Sequence, residues 1–205
     1  MAGSRLLHFM DQFSLYLLIG KDHILDLRNG YDHILFVMAL CAVYAVRDWK
    51  KVLILVTAFT VGHSITLALA TFQVVSFSST LIEFLIPCTI FITAVSNLFR
   101  SEAAVERGNF HINYLFAGGF GLIHGLGFST LLRELLGKSE NIASLLLAFN
   151  IGLEFGQIII VGIFMAVTFI IVDLAGVSRR DWKMIISSAI AGIALILIKE
   201  SELLT

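Results

Sequence analysis

Seven ionisable side chains, His23, Asp32, His33, His63, Glu83, His124 and Glu154, sit in or beside apolar runs, and no Lys or Arg accompanies them in the membrane interior, the basic residues falling near the ends of the runs. An ionisable group within a spanning helix costs about 2.5 to 3.5 kcal/mol on insertion scales, so a chain carrying several must recover that free energy. Carboxylates without basic partners must be protonated, be paired with histidine, or face a cation. Imidazole together with carboxylate points to a divalent metal or a proton. The spacing groups them further. Asn150, Glu154 and Gln157 recur at i, i+4 and i+7 on one helical stripe, Thr60, His63 and Thr66 share a second face, and Thr80 and Glu83 stand one turn apart with Pro87 deeper. Pro87 should loosen the backbone ladder around it.

The elements that position these groups follow from composition. Of the 205 residues 58% are hydrophobic and only 14% charged, whereas a soluble domain carries roughly 25% charge. The apolar residues fall into six runs at Tyr31–Val46, Lys51–Phe72, Ser79–Phe99, Ile112–Leu136, Ile142–Val172 and Lys183–Ile198. Most approach the roughly 20 residues needed to cross a hydrocarbon core. The expected fold is all-α, a polytopic membrane helix bundle of six transmembrane helices over 31–198, within one integral membrane domain covering 1–205. Arg5–Ile19 places Leu6, Phe9, Met10, Phe13 and Leu17 on one face, which predicts an interfacial helix within 1–20, with a seventh span as the alternative.

Basic residues divide unequally between the two sides of such a bundle. One side takes Arg47, Lys50, Lys51, Arg100, Arg107, Arg179, Arg180 and Lys183, and the other Arg133, Lys138, Lys199, Lys21 and Arg28. This puts the first side in the cytoplasm. Trp49 and Trp182, each within an R-D-W-K stretch, suit the headgroup boundary on that side. A net charge of -1 gives no basic face for nucleic acid. Cys41 and Cys88 lack any C-x-x-C spacing, so neither a disulfide framework nor a thiolate zinc site is signalled. The weak basic region before Phe13–Ile19 argues against a cleaved signal peptide, so the mature chain is expected to start near Met1.

Depth along each run, at about 1.5 Å per residue, puts Asp32 and His33 at an outer mouth, Glu83 one turn in, and His63, His124 and Glu154 roughly 14 to 18 Å deep. Three groups at one depth predict a midplane site, with Asn150, Gln157 and Thr60 in support. The glycines of G-G-F-G-L-I-H-G-L-G at 118–127 predict close helix packing, since no strand precedes them as in a phosphate loop. Asp32 alone is equally well read as a cap on the first spanning helix. The constellation leaves three functions open. One is a permease. Another is an intramembrane metal-dependent hydrolase with Glu154 or Glu83 as general base. In the third the polar residues only bind helices together in an assembly subunit. The lipid bilayer is the expected environment, and a homo-oligomer or membrane partner stays open.

H-I-L at 23–25 with G-Y-D-H-I-L-F at 30–36, T-A-F-T-V-G-H-S-I-T-L at 57–67, F-G-L-I-H-G-L-G-F at 120–128 and F-N-I-G-L-E-F-G-Q at 149–157 resemble the successive signatures of the HupE/UreJ family of small bacterial membrane proteins. The resemblance runs over most of the chain and implies a nickel, or nickel and cobalt, permease. It implies functional roles for His23, Asp32, His33, His63, Glu83, His124 and Glu154. The gap before Gly30 is longer than the family's usual one because Asp26–Asn29 intervene, and Asp26 is an alternative to His23. The ion carried would be a divalent transition metal, Ni, Co, Zn or Fe, among which imidazole and carboxylate donors do not choose.

Overall fold

The computed structural model describes residues 2–27, 30–101, 110–136 and 141–204, with side chains from Met10 onward in the first segment and from Ile112 onward in the third. Arg28, Arg107 and Lys138, counted above for orientation, lie outside these residues. The described residues form helices and no strand: α1 (Ala2–Leu25), α2 (Tyr31–Cys41), a short 3-10 turn (Val46–Asp48), α3 (Trp49–Thr71), α4 (Ser79–Phe99), α5 (Phe110–Gly127), α6 (Ser129–Leu136), α7 (Ile142–Thr168), continued by a π-helical turn (Phe169–Leu174), and α8 (Arg179–Glu200).

The fold is an all-α membrane bundle. Among the described residues, four helices are long and apolar enough to cross a bilayer, or five when α5 and α6, bent by 53° at their junction, are taken as one broken span. The expected first span, Tyr31–Val46, is shorter. Its helix stops at Cys41 after 11 residues, about 16 Å at 1.5 Å per residue, because the backbone turns extended at Ala45. The N-terminal helix in turn continues past Ile19 to Leu25 as a single 24-residue element, packed lengthwise on α7.

The closest pairings are α3 with α5, α1 with α7 and α4 with α8, and α2 lies among α4, α7, α1 and α3. Glycine makes two of these pairings possible. A Cβ on Gly152 would strike the Leu17 carbonyl oxygen, and one on Gly62 the Gly118 carbonyl oxygen, so the backbones approach as small-residue interfaces allow. Trp49 is half exposed, but Trp182 is buried and its indole N–H donates to Thr168 Oγ1 across 3.1 Å. Only the first of the two indoles therefore has the exposure expected at a headgroup boundary. Arg100 and Lys183 share one end of the bundle, where Lys183 Nζ donates to the Arg100 carbonyl.

Candidate metal site

Asp26, Leu27 and Gly30 join α1 to α2 through the turn that positions the first ligands. The Gly30 N–H donates to the Asp26 carbonyl across 2.9 Å. A Cβ at Gly30 would strike the His23 carbonyl oxygen, so glycine is required for α2 to start against the last turn of α1. His23 is thereby brought beside His33, ring centroids 4.8 Å apart. Asp26 enters no group of possible metal ligands among the described residues, so His23 is the residue of this pair that the turn delivers.

His63 and His124 reach the same place through the glycine run of α5. A Cβ on Gly125 would strike the His63 carbonyl oxygen and Thr66 Oγ1, and one on Gly121 the Phe59 carbonyl oxygen. The two helices therefore lie close along this stretch. His33 lies beside both imidazoles, its ring centroid 5.9 Å from that of His63 and 5.2 Å from that of His124. His63 and His124 are completely buried and His33 is 3% exposed.

Ligand atoms converge in two groups that share His33. His23, His33 and His63 form one, and Asp32, His33 and His124 the other, with the atoms in each within 4.8 Å of one another. Hydrogen bonds fix which nitrogens are free. His33 Nδ1 lies 2.9 Å from Asp32 Oδ1, a carboxylate that also accepts the His33 backbone N–H at 2.8 Å. As a carboxylate only accepts, Nδ1 carries the proton and Nε2 keeps its lone pair. Asp32 thus orients the ring; the N-cap of α2 is Gly30, and no side chain caps this helix. His124 Nε2 lies 2.9 Å from Thr89 Oγ1, whose own proton goes to the Ile86 carbonyl at 2.7 Å, so His124 donates and its Nδ1 is left free. His23 Nε2, His33 Nε2, both nitrogens of His63 and His124 Nδ1 are buried without a hydrogen-bond partner. Imidazoles with free nitrogens in two adjoining groups that share His33 are a ligand set for a divalent transition metal.

The surroundings are dry on two sides. Phe36 and Phe59 pack 4.8 Å apart and lie 5.0 and 5.1 Å from His124, while Phe128 covers His23 at 4.0 Å and stacks on Phe149. Asp32 opens onto a crevice of about 320 Å³ that Glu83, Pro87 and Glu200 also line. Beyond Phe36 a second cavity, about 160 Å³, is lined by Phe120, Thr93, Ser96, Asn97, Arg100 and Asn113.

The residues expected at the site do not all meet. Asp32, His33, His63, His124 and His23 come together, and Glu83 joins Asp32 along the crevice. Glu154 stands apart from both ligand groups: its Oε1 accepts from Thr57 Oγ1 at 2.6 Å. Gln157 and Thr60 pair with each other at 2.8 Å, and Asn150 Nδ2 donates to the Leu146 carbonyl at 2.9 Å. The midplane trio of His63, His124 and Glu154 is therefore not assembled, because a shared depth does not place side chains on faces that meet. Sequence reasoning missed Thr89, Thr57 and Glu200. Thr57 was within reach, since it extends the spacing of Thr60, His63 and Thr66 by one step; Glu200 reads as part of a polar tail.

No curated protein and no solved structure matches the chain. The family model described as HupE / UreJ protein matches residues 3–200, nearly all of this bundle and every ligand named above, so the chain belongs to the HupE/UreJ family.

Proposed function

We propose that the protein is a permease for a divalent transition-metal ion, with nickel as the substrate. One observation carries the reading: three imidazoles with unpartnered nitrogens, those of His23, His63 and His124, surround His33, whose partner Asp32 lines a crevice with Glu83 and Glu200. Carboxylates at the mouth concentrate cations, because a cleft of one sign focuses its field. Asp32, already bound to His33, takes the ion from Glu83 and Glu200. Nitrogen donors then replace its water, which selects borderline transition metals over magnesium and calcium.

His33 belongs to both ligand groups, so an ion can exchange Asp32 and His124 for His23 and His63 while His33 holds it throughout. Such stepwise exchange keeps any single state from being too tight to leave. Phe36 and Phe59 form the floor between the ligands and the cavity near Arg100, and release requires that floor to open. The mouth faces outward in this scheme, with the end bearing Arg100 and Lys183 in the cytoplasm. The test is radiolabelled nickel binding to the detergent-purified chain, competed with cobalt, zinc and magnesium. Saturable binding that transition metals displace, magnesium does not, and His33→Ala abolishes is expected; binding indifferent to His33→Ala would overturn the reading.

A further inference from the structure

Glu154 is the ionisable group of the apolar interior that the histidines leave out. Thr57 occupies its Oε1, but Oε2 is buried with no partner. About one turn before it, Asn150 spends its Nδ2 on the Leu146 carbonyl, which fixes the amide and leaves Oδ1 buried and unpartnered. One turn on lies Gln157, completely buried. Thr60 Oγ1 is 3.1 Å from the Val56 carbonyl and 2.8 Å from the end of the Gln157 carboxamide. A hydroxyl has a single proton, so both contacts are satisfied when Thr60 donates to Val56 and the Gln157 NH₂ donates to Thr60. The buried free end of Gln157 is then its carbonyl oxygen.

Three oxygen acceptors thus follow one stripe of α7 with no donor to fill them, and one belongs to a carboxylate. No Lys or Arg among the described residues pairs with Glu154. A buried acceptor left unfilled costs about 1 to 3 kcal/mol, and a charged one more, so an ionised Glu154 calls for a positive partner. Its nature follows from the donors. Carboxylate, carboxamide and hydroxyl oxygens without imidazole or thiolate suit a hard cation rather than a transition metal. Calcium takes about six to eight oxygen ligands, usually several of them carboxylates, whereas one carboxylate balances one charge.

We propose that Asn150, Glu154 and Gln157, with Thr57 across the interface on α3, bind a monovalent alkali cation, sodium, as the coupling ion. The coupling role rests on the permease reading above. α3 carries Thr57 and Thr60 on this site and His63, one turn further, on the other. Filling one site therefore bears on the helix that supplies a ligand to the second.

Binding of ²²Na⁺ to the detergent-purified full chain, beside ⁶³Ni²⁺ on the same preparations, tests the proposal. The expected result is saturable sodium binding, weakened roughly tenfold or more by Glu154→Gln and by Thr57→Val, with nickel binding retained in both as the sign that they fold. His63→Ala should lose nickel and keep sodium. A wild type that binds nickel but no sodium overturns the proposal and leaves the permease reading standing, as does sodium binding unchanged in both variants. Sodium binding without any nickel binding upholds the site and refutes the permease reading instead. If Glu154→Gln fails to fold, Thr57→Val alone decides.

Discussion

His124 donates its Nε2 proton to Thr89 Oγ1 across 2.9 Å, since the threonine's own proton is committed to the Ile86 carbonyl. One hydroxyl on α4 therefore sets the tautomer of a ligand on α5. Thr89→Val keeps the shape and removes the acceptor. Nickel affinity should fall about 10- to 100-fold, the usual effect of losing an outer partner of a ligating histidine, while Thr89→Ser restores it. Equilibrium dialysis on the two variants checks this; equal affinity in wild type and Thr89→Val would show that the bond does not orient the ring.

The carboxylates of the crevice act before the ligands do. Glu83→Gln with Glu200→Gln should raise the nickel concentration for half-maximal uptake several-fold, leave the maximal rate nearly unchanged and flatten the dependence on ionic strength. Initial rates across a salt series are the measurement. A fall in maximal rate with unchanged half-saturation would instead place these groups in the transport step.

Gly30 and Gly125 hold ligands in place through backbone approach. Gly125→Ala sets a methyl group against the His63 carbonyl and Thr66 Oγ1, and overpacking of this kind costs about 1 to 3 kcal/mol. Thermal unfolding in detergent should show lowered stability together with weaker nickel binding. Gly119→Ala, where a Cβ meets open space, should change neither.

Phe36 closes the floor beneath His33 and His124. Phe36→Leu keeps an apolar residue there but removes the ring that packs on Phe59 and His124. Nickel preloaded into vesicles should leak out faster through this variant while equilibrium binding changes little. Unchanged efflux would mean that the floor is not the barrier.

Much of this was legible in the residues, and the failures share a cause. Run length and the charge-poor interior announce a membrane bundle, and His33, His63 and His124 stand out because ionisable groups are costly there. Ala42–Val46 is as apolar as the helix before it, so nothing in composition marks the turn after Cys41. The break at Phe128 is hidden in the same way, inside G-L-G-F. Depth along a helix follows from counting at about 1.5 Å per residue, but which faces meet depends on helix pairing. Counting therefore placed Glu154 level with His63, while the packing of α7 on α3 turns it toward Thr57. His23 was a candidate from the sequence, and it reaches the cluster because Gly30, with no side chain, lets α2 begin against α1.

Nickel flux through the histidine cluster is the central claim, and uptake of ⁶³Ni²⁺ into proteoliposomes tests it most directly. The chain should carry nickel at a saturable rate well above protein-free vesicles, and His33→Ala, reconstituted to equal density and folded by thermal unfolding, should carry none above background. Uptake by His33→Ala equal to wild type, or no uptake by wild type under a sodium or proton gradient of either sign, would contradict it.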